Sequence, residues 1–231
     1  MILKYSEINL DTFQGEGEFA GVPCNFLRLS GCNLSCIWCD TPYTWNWVNT
    51  KFKHPEKFDP KKEVFSIEVN KLATLLNKHE LKHLVISGGE PLLQQKKLTL
   101  LLQQLQGYFV EVETNGTIEP EDDFAKLVNR FNVSPKLKMS ENSKPAIKID
   151  ALLKLISYNT ILKFVVQTEN DIEELNKILT QLNIEKNRVY LMPLATSLEQ
   201  LNKGLLFLKD KGFRISSRFH IEKYGKDLRG V

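Results

Sequence analysis

Cys32, Cys36 and Cys39 stand in the spacing C-x3-C-x2-C within "GCNLSCIWCDTPYTWNW", residues 31–47. Thiolates this close suit one tight loop wrapped around an inorganic cluster, each sulfur binding one iron. Three sulfurs are one short of the four that hold an ordinary 4Fe-4S cluster, which would leave the fourth iron open to an external ligand. The alternative is structural zinc, which wants four closed ligands; His54, His79, His83 or Cys24 could supply the fourth. Cys24 lies just before an apolar run and reads as a small buried residue.

Composition narrows the choice. A chain of 231 residues with 42% hydrophobic content can bury a sizeable core, and a single domain over 1–231 is expected. A net charge of +3 announces no nucleic-acid surface. The start lacks an apolar signal segment, and no window approaches the roughly 20 apolar residues of a membrane span. A cytoplasmic protein is expected, and in a reducing compartment clustered cysteines point to metal binding or catalysis rather than disulfides.

The elements that must position this loop alternate along the chain. Apolar strands are predicted at 25–31, 83–89, 108–116, 131–135, 161–167, 188–193 and 213–221. Helical patterns are predicted at 66–79, 91–106, 120–130, 148–158, 170–183 and 197–211. This alternation predicts an α/β fold with a mostly parallel sheet, an incomplete (β/α)6 barrel. In such folds chemistry gathers at the carboxyl ends of the strands. "SGGEP", "ETNGT", "SPK" and "MP" all fall there, and the cysteine segment follows the first strand onto the same rim. The polar, proline-bearing stretch 47–63 reads as a surface excursion.

C-x3-C-x2-C with an aromatic before the third cysteine, followed by "SGGEP" at the end of the next strand, resembles the radical S-adenosylmethionine superfamily. The resemblance implies that superfamily's modified barrel, with S-adenosylmethionine chelated at the open iron and cleaved to a 5'-deoxyadenosyl radical. A narrower similarity runs nearly the length of the chain. "FQGEGEFAGVPCNFLRLSGCNLSCIWCDTPYTW", "SGGEPLLQ", "ETNGT", "SPK" and the final "RGV" resemble the 7-carboxy-7-deazaguanine synthase family of lyases. That family contracts the ring of 6-carboxy-5,6,7,8-tetrahydropterin with loss of ammonia, on the way to 7-deazapurines of the queuosine type.

The same resemblance implies the site. Phe13, Gln14, Gly15 and Glu16 match the substrate-binding loop, and Arg28 matches the arginine that pairs with the substrate carboxylate, a task suited to a planar guanidinium. Ser87 corresponds to a further substrate contact. Trp38, Cys39, Asp40, Gly89, Ser134, Pro135 and Lys136 match cofactor-binding positions. Without the family, "SPK" reads as a strand-ending turn. Thr41 aligns with a hydroxyl that binds Mg2+, with a turn cap before Pro42 as the alternative local reading. The terminal carboxylate of Val231 is expected at the pterin, against the ordinary fraying of a chain end, with 213–221 as a final strand leading to it. No site residue is assigned in the "LATS" loop after Pro193.

The implied partners are a small pterin, a flavodoxin-like external one-electron donor and a second copy in a homodimer, with no nucleic acid and no membrane. Within the same superfamily, a glycyl-radical activase shares both motifs but has no need of Q-G-E-G. An iron-sulfur electron carrier has no need of an open iron.

Overall fold

The computed structural model describes residues 1–142 and 144–224; Val231 lies outside the described residues. Its strands are β1 (Ile2–Phe13), β2 (Pro23–Leu29), β3 (Phe65–Glu68), β4 (His83–Gly88), β5 (Phe109–Thr114), β6 (Arg130–Val133), β7 (Thr160–Val166), β8 (Val189–Pro193) and β9 (Arg214–Ile215). Its helices are α1 (Pro60–Glu63), α2 (Val69–Lys78), α3 (Gln95–Leu102), α4 (Asp122–Ala125), α5 (Ile149–Ile156), α6 (Glu169–Leu182), α7 (Leu198–Leu208) and α8 (Phe219–Tyr224). They build one sheet in the order β3-β1-β2-β4-β5-β6-β7-β8-β9. From β2 to β9 every pairing is parallel, while β1 runs antiparallel to both of its neighbours. This is the incomplete barrel expected, opened along one side and extended by the β1 and β3 strands.

The parallel strands are apolar runs because both faces are covered. All of β7 and all of β8 are buried. On the outside, α2 buries Val69, Leu72, Ala73 and Leu76, the i, i+3, i+4, i+7 set of one helix face. α6 starts with a capping box, Thr168 and Asp171 each bonding the other's backbone, and ends at Asn183 with φ 48°, a left-handed cap that asparagine tolerates. No helix among the described residues is long and apolar enough to cross a membrane.

The structure corrects several boundaries. β1 was not anticipated: "ILKYSEINLDTF" carries too many polar residues to read as a core strand, and it is held by β2 on one side and β3 on the other. The start of the predicted 66–79 helix is β3, because those residues pair with Ile2–Tyr5. The 91–106 helix is a 3-10 turn over Pro91–Gln94 followed by α3, and the 120–130 pattern contracts to the single turn α4.

The predicted final strand 213–221 keeps only Arg214–Ile215 in the sheet, and its last residues begin α8. Ser216 N–H still donates to Leu191 O at 2.8 Å, but Phe219 N–H donates to Gly15 O at 3.0 Å, which draws the chain off the sheet edge toward the 14–22 loop. Nor is 47–63 only a surface excursion: Trp47 bridges Phe58, and His54 is buried.

Two features frame the site. The carboxyl ends of β2 and β4 through β8 form a rim, as predicted. At the opposite end Phe13 pairs with Pro23, so the intervening 14–22 loop starts at the amino ends of the parallel strands and closes the barrel from below. Gln14 bonds to β5, Glu16 is paired with Lys163 on β7, and Glu18 is paired with Arg130 on β6. The loop is the floor of the cavity.

Candidate active site

Floor and rim enclose one cavity of about 1080 Å³. Within the described chain, every site residue expected from the sequence lines it except Phe13 and Pro135. The Phe13 ring instead meets Phe219 edge-on, with centroids 5.1 Å apart, and anchors the start of α8.

The cysteine loop forms one wall. Cys36 is buried, Cys32 and Cys39 are half-buried, and Cys24 is fully buried away from them in a small cluster with Phe26 and Val85. Burial pushes the Cys32 thiol up to about 12 and the Cys39 thiol up to about 11, the latter helped by the adjacent Asp40 charge. Among the described residues no three His, Cys, Asp or Glu side chains converge as a single ion requires. Cluster thiolates bind separate irons and need not meet at one point. The sulfurs are prepared for such a group: Cys32 Sγ accepts from Leu34 N–H at 3.4 Å, Cys36 Sγ from Asn142 Nδ2 at 3.2 Å and Cys39 Sγ from Trp45 Nε1 at 3.3 Å. The cysteine loop fits a cluster.

The glycine motif is packed into this loop. A Cβ on Gly88 would overlap the Leu29 backbone, and one on Gly89 would overlap the Gly31 carbonyl. Gly88 also sits at φ 129°. Only glycines let the end of β4 lie against the start of the cysteine loop. Glu90 is fully buried and works structurally. Its Oε1 accepts from Leu92 N–H at 2.9 Å and Thr114 Oγ1 at 2.7 Å, and its Oε2 from Asn115 N–H at 2.8 Å, tying the β4 and β5 ends together.

Below the rim lies a polar network that sequence reasoning largely missed. Glu111 and Glu113, two apart on β5, share the inward face of the strand. Gln14 Nε2 donates to Glu111 Oε1 at 3.0 Å and lies 3.2 Å from Glu113 Oε1, while Ser87 Oγ donates to Glu113 Oε2 at 2.6 Å. Burial pushes the Glu113 carboxyl above its ordinary range, against the pull of Lys163. The visible signals were two carboxylates at alternate positions of "FVEVET" and a lysine inside the apolar run "ILKFVV".

Arg28 is buried. Its Nε donates to Glu7 Oε2 at 2.8 Å, and Tyr43 OH donates to the other Glu7 oxygen at 3.0 Å. Thr41 precedes the 3-10 turn Pro42–Thr44 without capping it through its side chain, which removes the turn-cap alternative and leaves its hydroxyl on the cavity, 3.7 Å from Cys39 Sγ. Lys136 Nζ donates to Ser134 Oγ at 2.7 Å and lies over the Trp38 ring at 5.4 Å. Trp38 Nε1 is buried without a protein acceptor. Arg218, with no sequence signal, pairs with Asp40, bonds Ala195 O at 2.8 Å and approaches Glu16 at 3.6 Å. It thereby brings the unassigned "LATS" loop to the site.

An incomplete barrel with a three-cysteine loop on its rim, matching the Radical SAM superfamily model over residues 27–196, defines the class as a radical S-adenosylmethionine enzyme. The chain is 34% identical over 93% of its length to a 7-carboxy-7-deazaguanine synthase of Pyrobaculum aerophilum, covering 91% of that protein. It is 30% identical over 90% to one from Escherichia coli K12, covering 93% of it. It also superposes on the crystal structure of QueE from Escherichia coli with a TM-score of 0.69 and 28% identity, over 94% of this chain and 93% of that one. The chain belongs to the 7-carboxy-7-deazaguanine synthase family. Its cofactors are accordingly a 4Fe-4S cluster, S-adenosylmethionine and Mg2+.

Proposed function

We propose that the chain, as a single domain, converts 6-carboxy-5,6,7,8-tetrahydropterin to 7-carboxy-7-deazaguanine with loss of ammonia. One observation carries this reading: the Q-G-E-G loop forms the floor of the cavity whose rim holds the cysteine loop, so a small molecule on the floor faces the cluster wall. An activase for a polypeptide has no use for that polar floor.

In this reading Cys32, Cys36 and Cys39 hold the cluster and Thr41 contributes a hydroxyl to Mg2+. When bound, the cluster and S-adenosylmethionine supply a carbon-centred radical that exchanges hydrogen with C6 of the substrate. The protein's own part is positioning. Trp38, Asp40, Gly89, Ser134, Pro135 and Lys136 bound the S-adenosylmethionine side of the cavity, with the free Trp38 N–H a ready donor. Gln14, Gly15 and Glu16, with Phe13 anchoring their loop, meet the pterin from below beside Ser87. The Glu7 contact occupies only Nε of Arg28, so its Nη groups are available to a substrate carboxylate. Burial of these groups excludes water and strengthens each polar contact. The electron comes from an external flavodoxin-like donor in the cytoplasm, and the working unit is a homodimer.

The test is anaerobic reconstitution with iron and sulfide, reduction with dithionite, and mass spectrometry of products from 6-carboxytetrahydropterin and S-adenosylmethionine. Formation of 7-carboxy-7-deazaguanine is expected; cleavage of S-adenosylmethionine with an unchanged pterin would overturn the substrate.

A further inference from the structure

The cysteine loop is backed by three side chains that the proposed mechanism does not use, Trp45, His54 and Asn142. Trp45 is 4% exposed, and its indole N–H donates to Cys39 Sγ at 3.3 Å. The ring is held edge-on by Phe52 and His54, with centroids 5.3 and 6.0 Å away. His54 grips the same cysteine at its other end. Its Nδ1 accepts from Glu56 N–H at 3.2 Å, which leaves the proton on Nε2 to donate to Cys39 O at 3.2 Å. On the preceding cysteine, Asn142 Nδ2 donates to Cys36 Sγ at 3.2 Å. The amide cannot be turned over, because its Oδ1 already accepts from Ser35 N–H at 2.7 Å. All three cysteine sulfurs thus receive a side-chain N–H, Cys39 from Trp45 six residues on, Cys36 from Asn142 106 residues on and Cys32, at a longer 3.9 Å, from Asn115.

We infer that Trp45 and Asn142 are tuning residues that raise the reduction potential of the cluster held by this loop. The physical reason is electrostatic. One-electron reduction, from the 2+ to the 1+ cluster with the electron supplied by an external donor, adds negative charge that spreads onto the thiolate sulfurs. An N–H dipole aimed at a sulfur stabilises the reduced form more than the oxidised one, and hydrogen bonds to sulfur are among the determinants of cluster potential. A low dielectric around Trp45 strengthens the effect. Reduction by the external donor is thereby made easier. Trp47 gives an internal comparison: its indole N–H goes to Tyr43 O at 3.1 Å and reaches no sulfur.

This inference rests on the proposed cluster site, and potentiometry separates the two. The reconstituted full chain is titrated with dithionite in the presence of redox mediators, without S-adenosylmethionine, and the reduced cluster is followed by electron paramagnetic resonance. Trp45→Phe, which keeps a ring and loses the N–H, should lower the equilibrium constant for reduction about threefold to tenfold, or about 30 to 59 mV at 59 mV per tenfold for one electron. Asn142→Ala should shift it in the same direction, and Trp47→Phe should leave it unchanged. A Trp45→Phe or Asn142→Ala potential equal to that of Trp47→Phe overturns the inference while the cluster site stands. So does failure of both variants to assemble a cluster that wild type assembles, since the donors would then serve assembly alone. A wild-type chain that assembles no 4Fe-4S cluster overturns both.

Discussion

Glu16 on the cavity floor is paired with Lys163 in the middle of strand β7, 147 residues further along the chain. Lys163 is buried and Glu16 half-buried, with side chains 7% and 16% exposed. Burial pulls the Lys163 ammonium down, but Glu16 and Glu113 push it up by more, so it stays charged. Lys163→Met should cost about 1–3 kcal/mol in urea unfolding of the apo-protein, because it removes the ammonium nearest Glu16 and leaves that carboxylate the longer contact to Arg218. The double variant Glu16→Gln with Lys163→Met should lose less than that. A folded-state value above that of free lysine makes the pair's contribution complete below about pH 10.4. It should be lost as pH rises through the higher value, which an alkaline stability profile would register.

The cysteines should divide three to one. Ala at Cys32, Cys36 or Cys39 should abolish bound iron and sulfide and turnover, while Cys24→Ala should keep all three, and loss of the cluster in that variant would overturn the ligand assignment. Burial, then Glu111 and Glu113, push the Cys24 thiol up to about 12. The folded state therefore holds its proton more tightly than the unfolded chain does. Apo-protein stability is intact below the unfolded thiol range near 8.5 and should fall as pH rises toward 12, and Cys24→Ala should flatten part of that fall.

Arg28→Ala should raise KM for the pterin about tenfold to a hundredfold, the loss of a charge-assisted pair worth about 1.5–3 kcal/mol. It also leaves Glu7 with Tyr43 alone. Comparing it with Arg28→Ala in a Glu7→Gln background separates the two effects: stability should partly recover, and KM should not.

Thr41→Ala should raise the Mg2+ concentration for half-maximal turnover about tenfold, and Thr41→Ser should restore it. An unchanged Mg2+ response in Thr41→Ala refutes the metal role of the hydroxyl.

Gly89→Ala tests the packing of the glycine motif. Its Cβ would overlap the Gly31 carbonyl and approach Cys32 N to 3.0 Å. The backbone strain should cost about 1–3 kcal/mol and lower iron loading by displacing the cysteine loop, measurable in the purified protein before any assay of turnover.

The sequence alone determined the class. C-x3-C-x2-C, "SGGEP" and the alternation of apolar strands with amphipathic helices are local patterns, set by loop length, glycine sterics and side-chain periodicity, so one stretch of chain suffices to read each. It also held the identity of the floor residues, but not that they are a floor. β1 escaped reading because its polar residues are satisfied by two neighbouring strands, and 213–221 was misread because Phe219 N–H bonds the remote Gly15 carbonyl instead of extending the sheet. The tertiary structure decided the rest: Gln14 meets Glu111 from 97 residues away, Arg218 meets Asp40 from 178, and Asn142 meets Cys36 from 106. Buried polar groups must find partners wherever the fold brings them, and no spacing along the chain encodes a partner that only the closing of the barrel brings near.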